Sequence, residues 1–127
     1  MFLELWKEIA LDPLIRHAAR LAALGHPARL SILRHIVGGG ESGCPAGEIQ
    51  RALGVPASTL SHHLSALAAA DLVQVERQGT FLLYRADFST LLSLTEFIWE
   101  DCCGRDPRAP MHCGGWRKPA LNLESTE

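Results

Sequence analysis

Apolar residues recur along most of this chain at intervals of three and four, the spacing of helices that bury one side. Between residues 72 and 85 they fall instead into two short runs flanking a glycine-containing turn. The first 24 residues are dense in them: Phe2, Leu3, Leu5, Trp6, Ile9, Leu11, Leu14, Ile15, Ala18, Leu21, Ala22 and Leu24. Asp12-Pro13 interrupts this run, so the pattern predicts a short leading helix and a longer one from Pro13 to Leu24. That is more apolar surface than a peripheral helix needs, and it implies a buried interface, most simply a two-fold dimer. Gly25 closes the helix and Pro27 opens the next, with His26 in the N-cap region. Leu30, Leu33, Ile36 and Val37 follow at helical spacing until Gly38-Gly39-Gly40 ends it. His17, His26 and His35 lie on these helices without ligand spacing and read as surface or cap residues.

The stretch from Ala46 to Asp71 organises the rest. A short helix over Gly47–Leu53 ends at Gly54, the residue that takes a left-handed turn at least cost. Pro56 then opens a second helix, where its missing N–H is no loss. Two short helices with a glycine in the joint are the sequence form of a helix-turn-helix. At about 100° per residue, Leu60, Leu64 and Leu67 share one side of the second helix. Ser58, Ser61, His62 and Ser65 share the other. A solvated face ordinarily carries Lys, Glu and Arg; this one carries short hydroxyls and an imidazole. Such groups near a helix N-terminus can reach base edges and phosphates in a major groove.

Two strands follow, Leu72–Glu76 and Thr80–Arg85, with Arg77-Gln78-Gly79 expected as the turn. A hairpin directly after a helix-turn-helix is a wing, and its tip places Arg77 and Gln78 within reach of a neighbouring phosphate or minor groove. The last helix is expected over Asp87 to Cys103, with Asp87 and Ser89 able to cap its start. Phe88, Leu91, Leu92, Leu94, Phe97, Ile98 and Trp99 cover more than half its circumference, so it should be buried. Its natural partner is the first helix, its own or that of a second subunit. From Gly104 periodicity vanishes. The expected organisation is a winged helix-turn-helix and dimerisation domain over 1–103 and a tail over 104–127. The fold class is mainly α with a small β-hairpin, homodimeric.

Composition refines this picture. A chain of 127 residues with nearly half apolar is a single folded domain, small enough that a partner chain helps stabilise it. The net charge of −2 is not that of a nucleic-acid binder as a whole. Its distribution is compatible with a DNA face and a sensing face: Arg16, Arg20, Arg29 and Arg34 carry all the charge between Pro13 and Gly40, while Asp87, Glu96, Glu100, Asp101 and Asp106 gather late. No positive leader segment opens the chain and no apolar run approaches the ~20 residues that span a bilayer, so a cytoplasmic protein without membrane contact is expected. Enzymatic chemistry is poorly served. Ser61 and His62 are neighbours that a helix turns apart, and no carboxylate is placed to orient a histidine.

Three motifs now stand in order: Leu24-Gly25-His26-Pro27-Ala28-Arg29-Leu30-Ser31-Ile32-Leu33, then Pro56 to Leu67, then the Arg77-Gln78-Gly79 wing. Together, over residues 13 to 103, they resemble the ArsR family of winged-helix metal- and metalloid-sensing repressors. The resemblance implies a homodimer joined through its first and last helices, a recognition helix from Pro56, and an inverted-repeat operator in double-stranded DNA. By analogy Ser58, Thr59, Ser61 and His62 are the expected DNA contacts, with Arg77 and Gln78 in the wing. The chain departs from the pattern at the sensor. Many members have Cys-x-Cys before the turn; here the region reads Cys44-Pro45-Ala46-Gly47-Glu48, with one cysteine that reads as a small buried hydrophobe. The last helix also lacks the Asp/His pattern of zinc-sensing members.

The remaining cysteines cluster late. Cys102-Cys103 ends the last helix, and Cys113 follows after nine residues, a loop that costs little to close. Neighbouring helix residues point about 100° apart, so both thiols converge on one ion only where the helix frays, which Gly104 permits. Three thiolates without a required histidine or carboxylate suit a soft, thiophilic centre. Zinc, which prefers four ligands at C-x₂₋₄-C spacing, fits poorly even with His112 as a fourth. The arrangement resembles the Cys-Cys…Cys sensor of one branch of the arsenic repressors. That implies trivalent arsenic, As(III), or antimony, Sb(III), as an inducer rather than a catalytic cofactor, held by Cys102, Cys103 and Cys113. Two alternatives remain open: a redox-sensing repressor using a Cys102–Cys103 disulfide, and a metalloid-binding thiol protein with no regulatory role.

Overall fold

A computed structural model describes Glu4, residues 12–100 and Arg105. The expected leading helix, apart from Glu4, lies outside the described residues. Helix α1 spans Pro13–Leu24. Asp12 begins it as the sequence anticipates: the Leu14 N–H donates to its Oδ1 at 2.9 Å, and Pro13 supplies the pre-set φ of a first helical residue. Helix α2 runs Pro27–Gly38, where Ala28 N–H donates to the His26 ring at 3.1 Å, confirming His26 as a cap. A 3-10 turn over Gly40–Ser42 leads to β1, Cys44–Pro45. The helix-turn-helix follows as α3 (Ala46–Leu53) and α4 (Ala57–Ala69). Gly54 joins them at φ 65, its N–H donating back to the Gln50 carbonyl. Pro56 is the N-cap of α4 rather than its first residue, one position from the expectation.

The wing is β2 (Val73–Gln78) and β3 (Phe81–Ala86), paired antiparallel from Val73↔Ala86 to Gln78↔Phe81. This corrects the expected turn. Arg77 and Gln78 belong to the strand, and the connection is Gly79-Thr80. Gly79 has φ 62 while Thr80 keeps a negative φ, the sign pattern of a two-residue II′ turn, whose twist matches that of the strands and lets the ladder run to its end. A third strand was not foreseen: β1 pairs with β3 through Cys44↔Tyr84 and Pro45↔Leu83, giving the order β1-β3-β2.

The core joins α2, α3, α4 and the sheet. Ile32, Leu33 and Ile36 meet Ile49, the Leu60, Leu64 and Leu67 stripe, and Leu72, Val73 and Tyr84. Each fully buried leucine contributes about 1.5–3 kcal/mol relative to exposure. Leu30 and Val37, expected alongside Leu33 and Ile36, stay exposed on another side of α2. Cys44 is buried here as expected, and a Cβ on Gly39 would lie 2.5 Å from its sulfur. Burial, helped by Glu48, raises its thiol above the ordinary value, so it stays protonated at neutral pH.

Contacts divide the chain after Leu91 into two compact units, Met1–Leu91 and Leu92–Glu127, and helix α5 (Phe88–Trp99) runs across the boundary. Asp87 is its cap, accepting from Thr90 N–H at 3.0 Å; Ser89 lies inside the helix. In the first unit Phe88 and Leu91 pack on the core. In the second, Leu94 is buried but Ile98 and Trp99 are about half exposed, so the expected burial of α5 is incomplete within one chain.

Helix α1 shows the same feature. His17 is buried with its Nδ1 3.2 Å from Arg20 Nη1, which corrects its reading as a surface residue. His17, Arg20 and Leu24, at helical spacing, form the side turned inward. Leu14 is 62% exposed, and Ile15 and Leu21 stand out with it.

Candidate nucleic-acid interface

Helix α4 is fixed from below by its leucines. Leu60, Leu64 and Leu67 are at most 3% exposed, which sets the rotation of the helix about its own axis. Ser58, Thr59, Ser61 and His62 consequently all face solvent on its N-terminal half. No side chain caps the helix start, so the first N–H groups of α4 point outward without an internal partner. Hydroxyls, an imidazole and unsatisfied N–H groups on one convex helix end can accept a phosphate and meet base edges. The far end is closed by a Schellman motif. Leu72 N–H donates to Leu67 O and Asp71 N–H to Ala68 O, with Asp71 in the left-handed conformation at φ 61.

The wing supplies the second part. Arg77 and Gln78 are exposed near its tip. Gln78 Nε2 donates to Glu76 Oε2 at 3.5 Å, and Glu76 also accepts from Arg85 Nη1. Arg85 in turn donates from Nε to the Glu41 carbonyl at 2.8 Å. The only acid of the hairpin is thereby neutralised, and Arg77 has no partner among the described residues.

Sequence reasoning missed two residues here. His63 looks like one more polar residue of the Ser61-His62-His63 run, yet it is 7% exposed. Arg29 Nε donates to its Nδ1 at 3.1 Å, and its ring lies 4.8 Å from that of His26 and 5.9 Å from that of His62. Burial lowers its pKa below the ordinary histidine value, and His26, Arg29 and His62 lower it further, in that order. The signal was in the spacing. His63 stands three residues after Leu60 and four before Leu67, on the leucine stripe, and Arg29 stands three before Ile32 on the inner stripe of α2.

Cys102, Cys103 and Cys113 lie outside the described residues. Cys44 is a buried free thiol. Among the described residues no group of three or more His, Cys, Asp or Glu could hold a metal ion, and no helix is long and apolar enough to cross a membrane.

Comparison with known proteins gives these features a context. Residues 24–76, from the end of α1 through the first half of the wing, match a helix-turn-helix domain family. The HTH-type transcriptional regulator YgaV of Escherichia coli (strain K12) is 39% identical over 67 residues, which span 53% of this chain and 66% of YgaV, just under two thirds of that relative's length. Among solved structures, an ArsR-like transcriptional regulator from Rhodococcus sp. RHA1 superposes with a TM-score of 0.60 at 27% identity, over 67% of this chain and 77% of that one. The homodimeric winged helix-turn-helix DNA-binding domain of Mb0332 from Mycobacterium bovis, a possible ArsR-family regulator, gives a TM-score of 0.55 at 27% identity, over 82% of this chain and 94% of that fragment. The described residues form a winged helix-turn-helix, and the chain is similar in sequence and fold to transcriptional regulators of the helix-turn-helix and ArsR-like kinds.

Proposed function

We propose that the chain is a DNA-binding transcriptional repressor that holds an inverted-repeat operator as a homodimer and is released by trivalent arsenic or antimony. The observation that carries the DNA reading is the outer face of α4: small donors and acceptors, an uncapped helix start, and a leucine stripe that locks the rotation. Ser58, Thr59, Ser61 and His62 take the major groove, and Arg77 with Gln78 takes the adjacent backbone or minor groove. The homodimer accounts for the apolar residues that α1 and α5 leave exposed, and the Mb0332 domain is itself homodimeric. Two-fold symmetry of the protein then requires a two-fold related pair of half-sites.

The inducer reading rests on the chemistry of the late thiols. Cys102, Cys103 and Cys113 provide three soft donors, and Cys44, buried and protonated, supplies no fourth, so the donor set fits a three-coordinate semimetal better than zinc. Occupation of the three sulfurs would tie Cys113 to Cys102-Cys103, which follow α5 in the chain. DNA affinity falls by the difference in inducer binding between the free and DNA-bound forms.

Fluorescence anisotropy of a labelled operator tests the whole. Wild-type protein should bind in a salt-dependent manner and release on addition of arsenite. Changing Cys102, Cys103 or Cys113 to Ser should leave binding intact and abolish release, whereas Cys44→Ser should still respond. Release that persists in all three variants removes the thiol site. Release by peroxide but not arsenite replaces it with a disulfide sensor. A protein indifferent to duplex DNA ends the repressor reading.

A further inference from the structure

The bond between Arg29 and His63 joins α2 to the helix that carries the proposed DNA-reading residues, and it occupies only one edge of the guanidinium. Nε donates to His63 Nδ1, and no other hydrogen bond or ion pair of Arg29 exists among the described residues. An arginine presents five N–H donors in a planar fork, so its two terminal amino groups keep four. The side chain is half-buried rather than extended into solvent, and its anchoring ring, His63, lies against His62, whose own side chain faces outward. A fixed cation with four unspent donors therefore stands one ring away from the groove-facing surface. The charged and titratable groups that bear on its anchor, His63, are His26, Arg29 itself and His62, and Arg29 forms no ion pair with a carboxylate among the described residues.

Resting on the DNA reading above, we propose that Arg29 is a further DNA-backbone contact: His63 clamps its Nε, and the terminal amino groups grip a phosphate beside the groove that α4 enters. The contact is sequence-independent. It fixes how α4 sits on the duplex and adds nothing to base readout. An arginine held through Nε is pre-organised for two parallel bonds to phosphate oxygens, so little side-chain freedom is lost on binding. His63 is a positioning residue, acting through Arg29 and not on DNA.

The test is the salt dependence of binding, measured by anisotropy on an operator duplex and on an unrelated duplex. Each phosphate neutralised contributes a slope of about −0.9 in log K against log salt. Arg29→Gln should make the slope shallower by about that amount and weaken both duplexes by the same factor. Arg29→Lys, which keeps the charge but loses the planar fork, should restore the slope while recovering only part of the affinity. An unchanged slope in Arg29→Gln overturns the proposal. So does an Arg29→Lys slope as shallow as that of the glutamine variant, which marks Arg29 as structural. Should Arg29→Gln not fold, the Arg29 Nε–H resonance of the wild-type protein decides: it shifts on adding duplex if the contact exists and stays in place if it does not. If the wild-type protein itself ignores DNA, the parent reading fails instead.

Discussion

Helices α1 and α4 are alike in length and both carry apolar residues at helical spacing, but they use them in opposite ways. Helix α4 turns its leucines into the chain and leaves a polar face outside. Helix α1 turns His17 inward and leaves Leu14, Ile15 and Leu21 outside. The first arrangement is complete in one chain. The second exposes apolar area that water disfavours by about 25 cal/mol per Å², so it makes sense only where another surface covers it. Amphipathicity alone therefore does not reveal a helix's role; what matters is which face the rest of the chain has already used.

This contrast can be broken at either helix. The largest effect belongs to α4. Leu67→Ala empties a fully buried site and should cost about 2–5 kcal/mol in urea unfolding; a loss under about 1 kcal/mol would mean that the stripe does not hold the helix. Leu21→Glu on α1 should behave differently. It should change the stability of the isolated fold by no more than about 0.5 kcal/mol, yet weaken self-association about tenfold in sedimentation equilibrium, since one desolvated contact of this kind is worth about 1 kcal/mol or more. A Leu21→Glu chain that unfolds, or that associates like the wild type, would erase the distinction between the helices.

The smallest effect is in pH. Folding lowers the His63 pKa, so the unfolded chain takes up this proton first as pH falls. Stability from this group is present above about pH 6.5, the ordinary histidine value, and declines as pH drops from there toward the folded value. The thermal midpoint should fall between about pH 7 and pH 5.5, and His63→Asn should flatten that decline. An identical pH profile in the variant would show that His63 is not the group responsible.

Wherever one residue dictates the backbone, the elements were legible in the sequence. Asp12-Pro13 starts α1, Gly54 makes the joint, and Asp87 caps α5, each by its own chemistry and with no help from distant parts of the chain. What escaped depended on distant partners. Strand β1 is two residues long, too short to show any alternation, and exists because β3 offers it a free edge. The turn lies at Gly79-Thr80 instead of the expected Arg77-Gln78-Gly79 because the pairing of Gln78 with Phe81 decides where the ladder stops. Of the candidate site, the outward face of α4 followed directly from its leucines. Arg29 and His63 did not, because they stand 34 positions apart in the chain, on two different helices. Their places on the two inner stripes show that the information was present, but each stripe had been read singly.

Strand β1 has a mechanical consequence. Pro45 pairs with Leu83 in the wing and is at the same time the N-cap of α3. The hairpin is thus tied to the start of α3 through this residue, in addition to the direct packing of β2 on α4. Under the proposed function, wing and α4 would therefore meet a duplex as a linked pair, so the spacing between their two contacts would itself favour some duplex shapes over others.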